Sequence, residues 1–332
     1  MSTAAGALTF REDPVRGRLP LYRNPCPKFI SPPEDFFLPE RKLRLSLLSY
    51  SMLTDAALGR ITPDVLCGIC RENGIGSIDL MTLELRLYGA KKLKQAMDES
   101  GIACGCLIAN IDFLAFPHRA EKWLQNALAL CAEMDAKTLM VVPGQPVGRR
   151  LTRLRTLSRS AMTDEAVRFF TTAVAEGTKL GITVGLEDTP QKDKPFSSPA
   201  ELTNLLTRVP GLGLIFDTGN FLIADPGTDL MASYEALRPY IIRIHLKDVI
   251  RQKAFGTERC VDGLNIVPVI TGHGILPMRD FLRKLKDDGY NGDLCVEYAA
   301  AKGVHGSGHG KALSAYTDYI RGVWEGRNIL SQ

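Results

Sequence analysis

Residues 181–188 read GITVGLED, a short apolar run that opens on glycine, carries β-branched and aliphatic residues, and ends in two acids. A run of this length bounded by turn residues reads as a strand. The same form recurs downstream as GLGLIFDTG (211–219), YIIRIHLKD (240–248) and GDLCVEYA (292–299). Upstream it appears as LRLSLLSY (43–50), GIGSIDL (74–80), GIACGCLIAN (101–110) and AKTLMVVPG (136–144). Amphipathic helical stretches separate these runs, as expected of repeated βα units on a parallel sheet. Eight strands at intervals of roughly 30 to 50 residues are what a closed (β/α)8 TIM barrel requires. An open doubly wound sheet is the alternative, but no glycine-rich dinucleotide fingerprint follows an early strand.

The intervening helices carry their own start and stop signals. Thr62-Pro63 reads as an N-cap followed by proline in the first turn, and Ser198-Pro199-Ala200-Glu201 adds capping-box spacing. In EKWLQNALALCAEMDA, Trp123, Leu124, Ala127, Leu128, Cys131 and Met134 recur at helical spacing and form one apolar stripe. Gly289 ends RDFLRKLKDDG as a C-terminal cap. Residues 1–42, rich in Pro and Arg, have neither helical nor strand period and are expected to form an irregular N-terminal arm, a surface strap, subunit contact or lid. Residues 43–332 then make a single catalytic barrel domain, a size that one barrel with insertions reaches.

Composition narrows the function classes. A chain with 45% hydrophobic and 23% charged residues is an ordinary globular protein. No apolar run approaches the length of a membrane span. The opening MSTAAGALTFREDPVRGRLP lacks the apolar core of a secretory signal, so a cytoplasmic protein is expected. Lys and Arg number 41 against 37 acids, a balance that does not call for a nucleic-acid partner. The eight cysteines are dispersed and read as reduced thiols: Cys67 and Cys70 as helix packing, Cys104 and Cys106 as neighbours on one strand face.

In a parallel barrel the catalytic groups project from the C-terminal strand ends, where the βα loops converge. There the last four strands present Glu187, Asp217, His245 and Glu297 in equivalent places. Three carboxylates and one imidazole suit a hard to borderline divalent ion, with Mn²⁺ first and Mg²⁺ or Co²⁺ as alternatives. Asp188 and Asp248, next to these positions, read as solvated or helix-capping acids.

VGLED, FDTGN, HLKDV and GYNGDLCVEY resemble the xylose-isomerase-like barrels, a superfamily of ketose 3-epimerases, hydroxypyruvate isomerases, inosose dehydratases and endonuclease IV-type AP endonucleases. The resemblance covers about residues 43 to 325. It implies that Glu187, Asp217, His245 and Glu297 hold one metal ion, that Glu187 and Glu297 also form the acid/base pair, and that Arg251 contacts substrate. Asn220 stands where many epimerases keep a substrate-touching histidine. The implied activity is a metal-dependent sugar isomerase or epimerase working through an enediolate. The alternative is a lyase, of the inosose dehydratase type or cleaving 3-oxo-glycosides like the large subunits of C-glycoside deglycosidases. The substrate would be a small sugar or glycoside, with no nucleic-acid or membrane partner. The assembly would be a homo-oligomer, or a hetero-oligomer with a small subunit if a deglycosidase. A DNA-repair endonuclease is disfavoured because that branch uses several more histidines, and a non-catalytic barrel leaves the ligand set without a task.

Three further stretches face the mouth. RRLTRLRTLSR (149–159) follows the fourth strand, and its arginines either grip an anionic group or coat a solvated helix. GVHGSGHGK (303–311) follows the eighth strand and reads as a flexible loop or a lid bringing His305 or His309 over the site. His273, in TGHGILP, either approaches substrate or caps a turn.

Overall fold

The computed structural model describes residues 42–143, 156–190, 195–254, 256–298 and 303–327. The predicted N-terminal arm and most of the arginine-rich stretch 149–159 lie outside the described residues. Strands β1 (Leu45–Leu48), β2 (Ser77–Met81), β3 (Ala103–Asn110), β4 (Thr138–Val142), β5 (Thr183–Glu187), β6 (Gly213–Asp217) and β7 (Ile241–Leu246) run parallel side by side. The chain then leaves the barrel for an antiparallel insert of β8 (Asp248–Gln252), β9 (Glu258–Arg259) and β10 (Asn265–Val269), ordered β8-β10-β9. It returns through the helix Met278–Asp287 to β11 (Leu294–Val296), which pairs with both β7 and β1 and closes an eight-stranded barrel. The eight predicted barrel strands are thus all present. The insert is an addition that the sequence reading left as a long connection.

The predicted helix signals operate as local chemistry dictates. Thr62 Oγ1 accepts the Val65 N–H at 3.3 Å ahead of Pro63–Glu72. Ser198 Oγ accepts the Glu201 N–H at 3.4 Å, while the Glu201 carboxylate reaches back to the Ser197 N–H at 3.3 Å, one residue beyond the position a strict capping box uses. Leu124, Ala127, Leu128 and Cys131 are buried on the helix Pro117–Glu133. Gly289, at φ 71°, sits in the left-handed region that ends Met278–Asp287, its N–H on the Lys286 carbonyl and that of Tyr290 on Leu285.

Two hydrophobic layers follow from the strand period. Outward residues such as Leu47, Leu107, Val141, Leu186, Phe216 and Leu246 join Leu66, Leu124, Phe170, Leu205 and Phe281 of the helices in one large core. Inside the barrel Leu48, Cys106, Ile108, Met140, Ile215 and Cys295 form a second cluster. Cys104 and Cys106 do not share a face. The register slips between Ile78 and Asp79, so Cys104 joins the outer core while Cys106 faces the interior. Gly105 at the slip leaves room for the Arg243 guanidinium, which a side chain there would meet. Cys67, Cys70, Cys104, Cys106, Cys131, Cys260 and Cys295 are buried free thiols. No helix among the described residues is long and apolar enough to cross a membrane.

Candidate metal centre

β5 ends on Glu187, β6 ends on Asp217, and β7 carries His245 one residue before its end. Asp217 pairs with His245 across β6 and β7, and His245 with Cys295 across β7 and β11. Glu297, two residues after Cys295, returns to the same inward face. One ligand atom each from Glu187, Asp217 and His245 lie within 4.8 Å of one another, with His245 Nδ1 2.7 Å from Glu187 Oε1. Glu297 is joined to them through a residue that the sequence reading overlooked, Lys247. The Lys247 Nζ stands 2.8 Å from Glu297 Oε2 and 3.2 Å from Asp217 Oδ2, and donates to Asn220 Oδ1 at 3.0 Å.

The donor set fits a divalent ion. Asp217 Oδ1 is committed to the turn that follows it, accepting the N–H groups of Gly219 and Asn220 at 2.7 and 2.9 Å. Its buried Oδ2 accepts no hydrogen bond and is left for a cation. His245 is oriented from behind by Asp79, whose Oδ2 lies 3.2 Å from Nε2, leaving Nδ1 toward the carboxylates. Asp79 is in turn gripped by both Nε and Nη2 of Arg243, and Arg243 Nη1 reaches Asp293 at 3.2 Å. Burial works to raise the Asp79 carboxyl, but Arg243 and His245 hold it down at about 2. Burial would lower the His245 pKa, yet hydrogen bonds to Asp79 and Glu187 lift it to about 10. Burial raises the Glu297 carboxyl against the pull of Lys247, and the Asp217 charge adds to the rise.

Asp188 and Asp248 are neither solvated nor helix caps. Asp188 is fully buried and accepts the Asp217 N–H at 2.7 Å, fixing the ligand's backbone. Burial, with the charges of Asp217 and Glu187, raises its carboxyl far above the carboxylate range. Asp248 accepts the N–H groups of Gly272 and Gly274 at 2.8 and 2.9 Å, and tethers that connection to β8. The error was one of local context: an acid at a strand end is solvated only if no later segment covers it, and here one does.

A family model for the xylose isomerase-like TIM barrel matches residues 67–317. The chain belongs to that family. A search of the curated proteins found none that matches it. Among solved structures it is similar to a probable 3-DHS dehydratase involved in petrobactin synthesis from Bacillus anthracis, at 16% identity and TM-score 0.65 over 84% of this chain and 99% of that one. It is similar to D-psicose 3-epimerase from Clostridium cellulolyticum H10, at 12% identity and TM-score 0.66 over 85% and 99%. A xylose isomerase-like TIM barrel protein from Mycobacterium smegmatis in complex with magnesium matches at 17% identity and TM-score 0.59 over 79% and 87%. At such identities the likeness establishes the common fold.

In this xylose isomerase-like barrel the other sequence-chosen residues are dispersed. Asn220 is at the centre: besides receiving Lys247, its Nδ2 donates to the Asp188 carbonyl at 2.9 Å. Arg251 lies on β8, its guanidinium paired with Asp262 of the same insert. Glu258 lies on the short strand β9, and its carboxyl is raised by burial and by the charges of Asp217 and Glu187, with Lys247 opposing. His273 is an exposed turn residue whose ring lies 6.5 Å from that of Tyr319, and its neighbours Gly272 and Gly274 cradle Asp248.

His305 and His309 share one partner, Asp55 of the helix Leu53–Ala57. His305 Nδ1 is 3.1 Å from Oδ1 and His309 Nε2 is 3.0 Å from Oδ2, with the Gly306 N–H at 3.1 Å. Burial pushes the Asp55 carboxyl up, but the bonds from His309, Gly306, His305 and Arg60 outweigh it and hold it far below the usual range. These contacts strap the glycine loop to the first βα unit. Asp55→Asn is expected to cost about 2 kcal/mol by leaving His309 with a poorer acceptor, lowering Tm by about 4 °C in a thermal melt. An unchanged melt would show that the strap adds no stability.

Proposed function

We propose that the protein is a divalent-metal-dependent sugar isomerase or epimerase that removes the proton next to a carbonyl and passes through an enediolate. One observation carries this reading. Asp217 and His245 have fully buried side chains, whereas Glu187 and Glu297 are each 17% exposed. Two anchors therefore sit beneath two carboxylates that reach the mouth, and those are the groups placed to take and return a proton. A divalent ion, Mn²⁺ first, bound by Glu187, Asp217, His245 and Glu297 would polarise the substrate carbonyl and offset developing charge. Asp79 fixes the His245 ring, Asp188 and the turn amides fix Asp217, and Arg251 on the insert would contact the substrate.

A lyase is the second reading, favoured by Lys247: an ammonium 2.8 Å from Glu297 supplies a donor for a departing oxygen that a plain epimerase does not need. Incubating the metal-loaded protein in D₂O with ketoses and 3-keto-glycosides separates the two. Deuterium uptake without elimination identifies isomerase chemistry, and release of a leaving group identifies the lyase. No uptake and no release with any member of the panel removes both.

The metal reading has its own test. One Mn²⁺ per chain is expected in wild type and substoichiometric metal in His245→Ala; equal content in both would refute the ligand assignment. Because His245 retains a proton up to about pH 10 when hydrogen-bonded to Asp79 and Glu187, ion binding there must expel it. Affinity for Mn²⁺ is therefore expected to rise between about pH 6 and pH 9, by up to about tenfold per unit for each proton released. Calorimetry in buffers of different ionisation enthalpy counts those protons, and a pH-independent affinity would contradict the role of His245.

A further inference from the structure

We propose that Lys247 is an internal counter-cation that shares Asp217 and Glu297 with the divalent ion, so that ammonium and ion compete for these two carboxylates. The inference rests on the metal-centre reading and adds a residue that controls how tightly the centre holds its ion.

The position is built rather than incidental. Lys247 lies two residues after His245 and so returns to the same inward side of the strand. Its backbone is clamped by Thr218, whose Oγ1 accepts the Lys247 N–H at 2.8 Å and donates to its carbonyl at 2.8 Å. Gly219 lets the lysine stem cross the turn: a Cβ there would stand 2.9 Å from Cδ and 3.0 Å from Cγ. Asn220 then receives the ammonium at 3.0 Å. Three consecutive residues after the ligand Asp217 thus hold the backbone, make room for the stem and orient the head group.

The ammonium has three oxygen neighbours: it donates to Asn220 Oδ1 and ion-pairs with Glu297 Oε2 and Asp217 Oδ2. Two of them are oxygens of metal-ligand residues. Glu187, Asp217 and Glu297 would repel one another in this enclosed mouth without a cation among them, and an ammonium at 2.8 to 3.2 Å relieves that repulsion. A divalent ion does the same work more strongly, and it must draw the same oxygens away from Lys247. Metal affinity is then set by a difference, ion against ammonium, rather than by the carboxylates alone.

The test is Mn²⁺ titration of the full-length protein, stripped by chelator, by calorimetry and by the electron paramagnetic resonance signal of free Mn²⁺. Lys247→Met and Lys247→Gln each remove the charge, and the glutamine keeps a polar head group should the methionine fail to fold. Lys247→Arg keeps the charge. Both neutral variants are expected to bind Mn²⁺ at least about tenfold more tightly than wild type, and Lys247→Arg to remain within about threefold of it. The neutral variants should also melt at lower temperature than wild type when stripped, with the gap narrowing at saturating Mn²⁺. Equal or weaker binding by a folded neutral variant overturns the counter-cation assignment while leaving the metal centre intact. Absence of Mn²⁺ binding in every protein overturns the metal-centre reading, and this assignment with it.

Discussion

Glu187→Gln and Glu297→Gln are each expected to lower kcat by about 10³-fold or more, with the circular dichroism of the folded protein unchanged. On the proposed reading, each exchange removes a negative metal ligand and a proton carrier at once. A positioned acid or base alone is worth about 10² to 10⁴ in rate, and a weakened electrophile compounds the loss. Both side chains stand at the mouth above buried anchors, so an isosteric amide disturbs little packing. Proton exchange followed in D₂O distinguishes the pair: if one variant still exchanges the substrate proton without forming product, its glutamate serves only the return step. Near-wild-type turnover by either variant would remove that residue from the chemistry.

Asp79→Ala is expected to destabilise the fold by about 3 to 5 kcal/mol, the usual cost of leaving one partner of a buried ion pair without the other. Arg243 and Asp79 are both interior, at 5% and 0% exposure, and Asp79 accepts two bonds from the guanidinium. The same carboxylate orients His245, so the surviving folded protein should also bind Mn²⁺ about 10- to 100-fold more weakly. Chemical denaturation and metal titration read the two effects separately. If stability falls but metal affinity does not, Asp79 is an ion-pair partner of Arg243 and not a support for His245.

The barrel was legible because its strands are apolar runs ended by turn residues, and the four candidate ligands stand out because they fall at or near the ends of successive strands. What stayed hidden depended on distant partners. Asp79 lies in the middle of the second strand rather than at its end, and its role needs Arg243 and His245 beside it. Lys247 shares the strand period of His245, a signal that was available, since alternate residues face the same side. Of the insert strands, β9 is only two residues long, too brief for a period to register. Arg251 drew attention by its spacing from His245, whereas Asp262, which holds it, is visible only after β8 to β10 fold together. His305 lies on the glycine loop as its sequence suggests, whereas His309 is buried in the first turn of the helix Gly308–Trp324, and nothing local to either reveals Asp55.

The bond from His309 to Asp55 spans 254 residues of chain, and the pairing of β11 with β1 joins the same two ends of the barrel. Contacts of such long sequence separation form only after a large loop-closure entropy has been met, which makes them late events in folding. During synthesis β1 must wait, one edge unpaired, until the last strand and the helix Gly308–Trp324 have left the ribosome. The glycine loop with His305, together with His309 in the helix that follows it, is thus a latch that engages at the end of the folding reaction. Chains cut short before β11 would expose the β1 edge and aggregate rather than stall as soluble half-barrels.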